Sequence, residues 1–323
     1  MSDKFVYAVA RIRANELSLL SEFDINRLLA CDSYDDCLNV LRDKGWGDDV
    51  SENENYHALL ASEEAKLWKL IFELVPDKSL FNVILLPIDF HNLKAAIKGY
   101  ITGALSDDLF LAGGSLDSNF LIRCVENNSF SDLPKHMSEA AKLACEKLLH
   151  TGDGQLCDNI IDRALLQVIK NEGNISKNKF IKDYAEFYVA SSNLKIAIRS
   201  QYLNKNLDFL KSMLVNCDTL DVEKLAKAAI SGIESLCDYL AFSPYSDAIP
   251  FIQVSLQKFE FWRDNKIIEM IQAEKFDSFS IAPIISYILA RQNEFMTVRI
   301  ILSGKLHHID NDLLKERLRL MYA

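Results

Sequence analysis

The chain has 323 residues, 49% of them hydrophobic, and carries 36 basic against 46 acidic residues, for a formal net charge of −10. That much apolar material can build one large core or two to three smaller ones. Because no dense block of Lys and Arg occurs, a nucleic-acid phosphate backbone is excluded as an expected partner, and the acidity is typical of ordinary solubility.

The composition favours long helices. Only 11 glycines and 6 prolines occur, and helix formers such as Leu, Ala, Lys and Glu are abundant. The opening segment, Met1-Ser-Asp-Lys-Phe-Val, has no apolar stretch, so no secretory signal is expected. The seven cysteines form an odd number without a Cys-x-x-Cys pair and are interpreted as reduced core residues: 31, 37, 124, 145, 157, 217 and 237.

Apolar residues recur at helical spacing along most of the chain. Examples in chain order are Tyr34 to Leu41, Leu67 to Leu74 and Ile281 to Ile288. The first is opened by Ser33-x-x-Asp36, and Ser51-x-x-Glu54 is a predicted capping box upstream of the second. The sequence therefore predicts an all-α fold.

Strand and loop signals are sparse. The one apolar run that could form a strand is Val83 to Leu86, which is stopped by Pro87. Turn-forming residues predict loops at Gly45 to Asn55, Gly113-Gly114, Gly152-Asp-Gly154, Asn171 to Asn174 and Ser243 to Pro250.

The apolar stretch Pro283 to Ser303 is the strongest candidate for a membrane span. It contains Arg291, Asn293, Glu294 and Arg299, which makes it too polar to cross a bilayer. We therefore expect no transmembrane segment, and any membrane role would go through a partner.

An internal repeat gives the most information. Asn92-Leu-Lys-Ala-Ala-Ile-Lys98 returns 101 residues later as Asn193-Leu-Lys-Ile-Ala-Ile-Arg199. The same step again reaches Glu294-Phe-Met-Thr-Val-Arg299, which keeps the apolar positions and a basic residue but lacks Asn-Leu-Lys. Similar flanks occur at Asp24 to Leu29, Leu116 to Leu121 and Leu220 to Leu225. Matching positions in register favour duplication over chance recurrence.

The repeat length predicts the domain organisation. A period of 101 residues is longer than helix-pair repeats of roughly 33–47 residues and suits small domains. We expect three similar helical bundle units in tandem, covering residues 1–112, 113–215 and 216–323, with termini that can pack together.

Four segments together carry a family resemblance. Tyr7-Ala-Val-Ala-Arg-Ile-Arg13, Asp89-Phe-His-Asn-Leu-Lys94, Asn193-Leu-Lys195, and Glu294 to Arg299 followed by Leu302-Ser-Gly-Lys305 resemble the C subunit of the archaeal and bacterial V-type ATPases, the counterpart of the eukaryotic d subunit. The likeness extends from Tyr7 to about Leu318 and depends on the order and spacing of all four segments.

The resemblance implies a funnel of three bundles with pseudo-threefold symmetry. It also implies a non-catalytic rotor subunit that connects the rotating central stalk of the ATP-hydrolysing head to the membrane rotor ring, for proton or sodium transport. The expected partners are the stalk subunits and the ring, the expected location is cytoplasmic and peripheral to the membrane, and no cofactor is expected. The missing triplet in the third unit puts threefold equivalence of function in doubt.

The sequence offers no catalytic, cofactor-binding or metal-binding constellation. It has no Gly-x-x-x-x-Gly-Lys phosphate loop, no dinucleotide fingerprint and no His-Glu-x-x-His. His307-His308 is interpreted as an exposed turn pair, because adjacent helical residues face different directions.

Two other functions remain as alternatives. A helical prenyl-diphosphate enzyme would need clustered carboxylates for magnesium. Asp35-Asp36-Cys-Leu-Asn39 matches such a box in part, and Asp107-Asp108-Leu-Phe-Leu111 fails at its last position. Asp35 and Asp36 are better explained as charges at a helix N-terminus. A general helical scaffold would show the shorter repeat period, which is not found.

The polar positions of the repeat have a structural and a functional interpretation. Lys94, Lys195 and Arg299 could face a partner, although lysines on amphipathic helices usually solvate the outer face. Asn92 and Asn193 could cap or cross-link helices within their own unit. We favour the structural interpretation for all five and predict no site residue.

Overall fold

A computed structural model describes residues 5–51, 55–106 and 109–323. Within these ranges the chain forms α-helices, short 3-10 turns and loops, with no strand. The predicted all-α fold is therefore confirmed.

Sixteen α-helices follow one another in the described ranges: α1 (Val6–Glu16), α2 (Glu22–Ala30), α3 (Tyr34–Asp43), α4 (Tyr56–Leu74), α5 (Asn82–Thr102), α6 (Ser118–Glu126), α7 (Lys135–Thr151), α8 (Gly154–Ile175), α9 (Lys179–Tyr202), α10 (Leu207–Met213), α11 (Val222–Ser231), α12 (Ile233–Leu240), α13 (Ile249–Ile252), α14 (Leu256–Ala273), α15 (Ala282–Leu306) and α16 (Asn311–Lys315).

The chain divides into two compact units. Unit 1 comprises the described residues of Met1–Lys78 together with Phe261–Ala323. Unit 2 comprises the described residues of Ser79–Glu260. In unit 1, α15 packs against α1, α3 and α4. In unit 2, α5 packs against α6, α7 and α8, and α9 packs against α8 and α11. The tandem division at residues 112 and 215 stays a prediction.

Polar side chains fix several helix starts. Ser33 accepts a hydrogen bond from the Asp36 N–H at 3.1 Å, as predicted for α3. The predicted cap of α4 at Ser51 is wrong, because Asn55 caps this helix by accepting the N–H groups of His57 and Ala58. Glu54, the other half of the predicted box, lies outside the described residues. Asn55 has the advantage of being adjacent to the first helical turn.

The run Val83 to Leu86, the one segment whose sequence was compatible with a strand, lies in the first turns of α5 with Pro87 inside the helix. All four are buried, with 1–4% of their surface exposed. A helix buried on every side shows an unbroken apolar run, which the sequence pattern cannot distinguish from a buried strand. The packing of α5 on three neighbouring helices offsets the hydrogen bond that Pro87 cannot make.

One helical stretch of the described chain, Lys78–Thr102, is long and apolar enough to cross a membrane by length and composition alone. Of its most apolar window, 67% is buried inside the protein. A core helix meets the same criterion, so this stretch is weak evidence for a span.

The loop predicted at Asn171 to Asn174 is also wrong, because α8 continues to Ile175. Gly173 is buried in this helix, and a Cβ atom added there would lie 2.6 Å from Cβ of Ala185 on α9. Glycine is therefore present to allow the two helices to approach closely, and not to end α8. The predicted turn at Gly152 is confirmed, with a φ of 68°.

Candidate functional site

Two long helices of unit 2 each hold a later segment through an asparagine. Asn92 on α5 donates its amide to the Leu111 carbonyl at 2.9 Å and accepts the Leu111 N–H at 2.8 Å. Asn193 on α9 makes the same pair of bonds with Val215, at 2.7 and 3.0 Å. Each amide thus satisfies both polar groups of one peptide residue. We call this arrangement the asparagine clamp.

A third asparagine occupies the related position in unit 1. Asn293 on α15 donates to the Leu320 carbonyl at 2.9 Å. It lies one hundred residues after Asn193, one position before the residue that the 101-residue period reaches. In this register a basic residue follows each asparagine by six positions: Lys98, Arg199 and Arg299. The third copy therefore keeps the asparagine and lacks only the Leu-Lys.

On each of the same three helices, a carboxylate accepts hydrogen bonds from the chain segment that precedes a short helix. Asp89 on α5 accepts the Leu116 N–H at 3.0 Å and a bond from the Ser115 hydroxyl. Glu186 on α9 accepts two successive N–H groups at 2.7 Å each, from Asp218 and Thr219. Burial raises the pKa of Asp89. Each carboxylate therefore positions the chain that enters α6 or α11.

In unit 1 the carboxylate with this role belongs to a buried charged cluster. Glu294 on α15 accepts the Leu20 N–H, one residue before the Ser21 cap of α2. Its other oxygen accepts a bond from Arg291 at 2.7 Å, and Arg291 also donates to Glu63 on α4 at 2.8 Å. All three charged residues are at most 7% exposed. We call Glu63, Arg291 and Glu294 the unit 1 charge cluster.

Aromatic rings and a lysine complete the surroundings of this cluster. The Arg291 guanidinium lies 4.9 Å from the Trp46 ring centroid and 4.8 Å from that of Phe295. Glu63 also accepts the Gly47 N–H at 3.0 Å and the Lys66 ammonium at 2.9 Å. Burial raises the pKa of Glu294 to about 7, although Arg291 favours its charged form. The cluster ties α4, α15 and two loops of unit 1 together.

The three long helices also end alike. Each is followed by a residue in the left-handed conformation: Gly103, Asn204 and His308, with φ of 68°, 50° and 55°. In each case the next N–H bonds back to the carbonyl five residues earlier, at 3.0, 2.9 and 2.8 Å. This is the Schellman ending. His307 and His308 are exposed, as predicted.

The basic residues singled out in the sequence pair mostly within their own unit. Lys94 lies 2.6 Å from Asp162, and Lys195 lies 2.5 Å from Glu260. Arg299 is 3.9 Å from Glu64, with half of its side chain exposed. Together with the asparagine clamps, these contacts give each of the five positions a partner within the protein.

The remaining candidates from the sequence are the paired aspartates and the cysteines. Asp35 and Asp36 lie in the first turn of α3 behind the Ser33 cap, whereas Asp107 and Asp108 lie outside the described residues. In the part of the chain that the structure describes, no three His, Cys, Asp or Glu side chains converge as metal ligands. The cysteines are free thiols, and burial raises the pKa of Cys37 to about 12.

Sequence reasoning missed the carboxylates that position the chain. The available signal was an acidic residue inside a long apolar helix, as with Asp89 and Glu294, because such a charge needs a partner when buried. Its partner could not be read from spacing. Glu63 gave no signal, since it is one of three acidic residues in an amphipathic helix and is followed directly by Glu64.

These features define an all-α protein in which long helices hold distant chain segments through recurring amide and carboxylate contacts. The family model described as ATP synthase (C/AC39) subunit matches residues 8–317. The chain therefore belongs to this family.

Named relatives cover nearly the whole chain. The C subunit of the V-type sodium ATPase of Enterococcus hirae is 21% identical over 96% of this chain and 97% of its own length. The C subunit of the A-type ATP synthase of Methanocaldococcus jannaschii is 21% identical over 94% of this chain and 84% of its own. That of Halorubrum lacusprofundi is 24% identical over 93% and 92%.

Proposed function

We propose that this protein is the non-catalytic subunit of a V-type ATPase that connects the rotating central stalk to the membrane rotor ring. The observation that carries the proposal is an asparagine that holds a later chain segment on each of three long helices, as a full clamp at Asn92 and Asn193 and as a single bond at Asn293. The family match of this chain runs from residue 8 to 317. Relatives named as the C subunits of a sodium ATPase and of ATP synthases support the same assignment.

The contacts suit a part that transmits torque. Such a part must deform little under load, and close-packed helices have low compressibility. Bonds from buried side chains to backbone groups 19 and 22 residues away fasten connecting segments to the long helices. Stiffness within each unit is what this role requires.

We propose further that the helices of Asn92, Asn193 and Asn293 mark three related bundles with pseudo-threefold symmetry, along the predicted tandem units 1–112, 113–215 and 216–323. Repeated modules around an axis would present similar contacts to a symmetric ring. The Schellman endings at Gly103 and Asn204, each 11 residues after the clamp asparagine, support a common origin of the first two copies.

The proposed partners are the central-stalk subunits and the rotor ring, with the chain cytoplasmic and held at the membrane peripherally through the complex. Contacts that permit disassembly are expected to be partly polar.

Affinity isolation of the tagged protein from detergent-solubilised membranes of its own source tests this role. We expect stalk and ring subunits among the companions identified by mass spectrometry, and none with an unrelated helical protein bearing the same tag. Failure to retain either stalk or ring would contradict the proposal.

A reconstitution experiment tests coupling separately. Complexes that lack this chain should hydrolyse ATP without transporting ions, and adding the purified chain should restore transport. ATP hydrolysis by the isolated chain, or full ion transport without it, would refute the proposed role.

A further inference from the structure

A polar cleft of about 550 Å³ lies within unit 2. One wall is a stripe on α8, formed by Arg163, Gln167, Lys170 and Asn171 at helical spacing. The opposite wall comes from the end of α10, the segment after it and the start of α11. The cleft therefore lies where the clamp of Asn193 holds the chain.

The clamp fixes this opposite wall in position. Val215, which lines the cleft, has both its N–H and its carbonyl bound to the buried Asn193 amide. Lys170 is fixed on the other side by ion pairs of 2.9 Å to Glu186 and 2.8 Å to Asp218. A cleft whose walls are held by internal bonds loses little conformational entropy on binding.

Lys170 is already paired with two carboxylates, so among the described residues the unpaired cations of the cleft lining are Arg163 and Lys211. Arg163 and Lys211 are exposed on its two walls, and neither has an ion-pair partner among the residues that the structure describes. Glu223 is the only acidic residue in the lining. In a chain with a net charge of −10, two unpaired cations facing one cleft favour an anionic ligand.

Polarity and length distinguish between the classes of anion. Pockets for small molecules are mostly apolar, whereas seven of the ten lining residues here are polar or charged. The stripe from Arg163 to Asn171 is about 12 Å long at the helical rise of roughly 1.5 Å per residue. This length matches about two turns of a helix or a few extended residues.

We propose that this cleft binds an acidic polypeptide segment of a central-stalk subunit, with carboxylates of that segment paired to Arg163 and Lys211. This inference rests on the proposed function, because that function supplies the partner. The complementary charges select the acidic segment and orient it along α8.

Charge reversal tests the proposal. The double variant Arg163→Glu with Lys211→Glu should bind purified stalk subunits at least about tenfold more weakly than wild type, and its binding should depend less on salt. The matched control is Lys135→Glu with Lys147→Glu, which makes the same change in net charge on exposed positions of α7 outside the cleft lining. It should stay within about twofold of wild type.

A photo-crosslinking amino acid in place of Gln167 identifies the occupant. We expect crosslinks to a stalk segment rich in Asp and Glu. Circular dichroism of all variants checks folding, and the milder pair Arg163→Gln with Lys211→Gln should give an intermediate loss of affinity.

The outcomes separate the two proposals. If the wild-type chain retains no stalk subunit, the proposed function fails. If wild type and the Glu double variant bind the stalk equally, or the crosslinks reach a segment without acidic residues, only the cleft assignment is overturned. Competition by inorganic phosphate at submillimolar concentration would likewise overturn it in favour of a small-anion site.

Discussion

Replacing Asn193 by Ala should destabilise unit 2 substantially. The substitution removes two hydrogen bonds and leaves the Val215 N–H and carbonyl unpaired at a position where Asn193 is fully buried. Each unpaired buried group costs about 1–3 kcal/mol. We therefore expect the free energy of unfolding to fall by about 2–5 kcal/mol.

The matched substitutions give a graded series. Asn92→Ala breaks the same kind of clamp, but its partner Leu111 is 43% exposed, so water can replace part of the loss. Asn293→Ala removes a single backbone bond. The expected order of destabilisation is Asn193, then Asn92, then Asn293, with the exposed Asn174→Ala near zero.

Urea unfolding followed by circular dichroism measures the series, and hydrogen exchange measures the local effect. The Val215 amide should exchange faster in Asn193→Ala than in wild type. An unfolding free energy within about 0.5 kcal/mol of the Asn174→Ala control, together with unchanged exchange at Val215, would refute the role assigned to the clamp.

Three further substitutions and one control test the packing and charges. Gly173→Ala should lower stability by about 1 kcal/mol in thermal unfolding, because the new Cβ clashes with Ala185 and overpacking outweighs the gain in helix propensity. The control Gly154→Ala should be neutral or stabilising, because its new Cβ would meet the Lys98 side chain at an ordinary contact distance of 3.6 Å. Arg291→Leu should cost about 3–5 kcal/mol in urea titrations, because two buried carboxylates lose their shared cation; a near-neutral result would contradict this. Burial raises the pKa of Glu294 from 4.5 to about 7. Between these two pH values the folded protein retains a proton that the unfolded chain releases. The contribution of Glu294 to stability therefore falls as the pH rises from 4.5 to about 7. Relative to wild type, Glu294→Gln should therefore gain up to about 3 kcal/mol across this pH window, and parallel stability curves would exclude the shifted pKa.

The helical class and several local features could be predicted from the sequence because they depend on near neighbours. Ser33 and Asp36 are three residues apart, and the cap they predict is present. The repeat around Asn92 and Asn193 likewise marked equivalent positions on two long helices. Helix periodicity and capping involve residues within one or two turns, so their signals survive in a short window of sequence.

Only the tertiary structure decided features that depend on distant packing. Whether Val83 to Leu86 formed a helix or a strand was settled by the neighbours of α5, and Gly173 acted as a contact point because α9 passes beside it. Glu294 meets the Leu20 N–H across 274 residues of chain. Local spacing could not reveal that contact. A side chain bonded to remote backbone leaves no periodic pattern in the sequence, since the partner contributes a peptide group that every residue other than proline possesses.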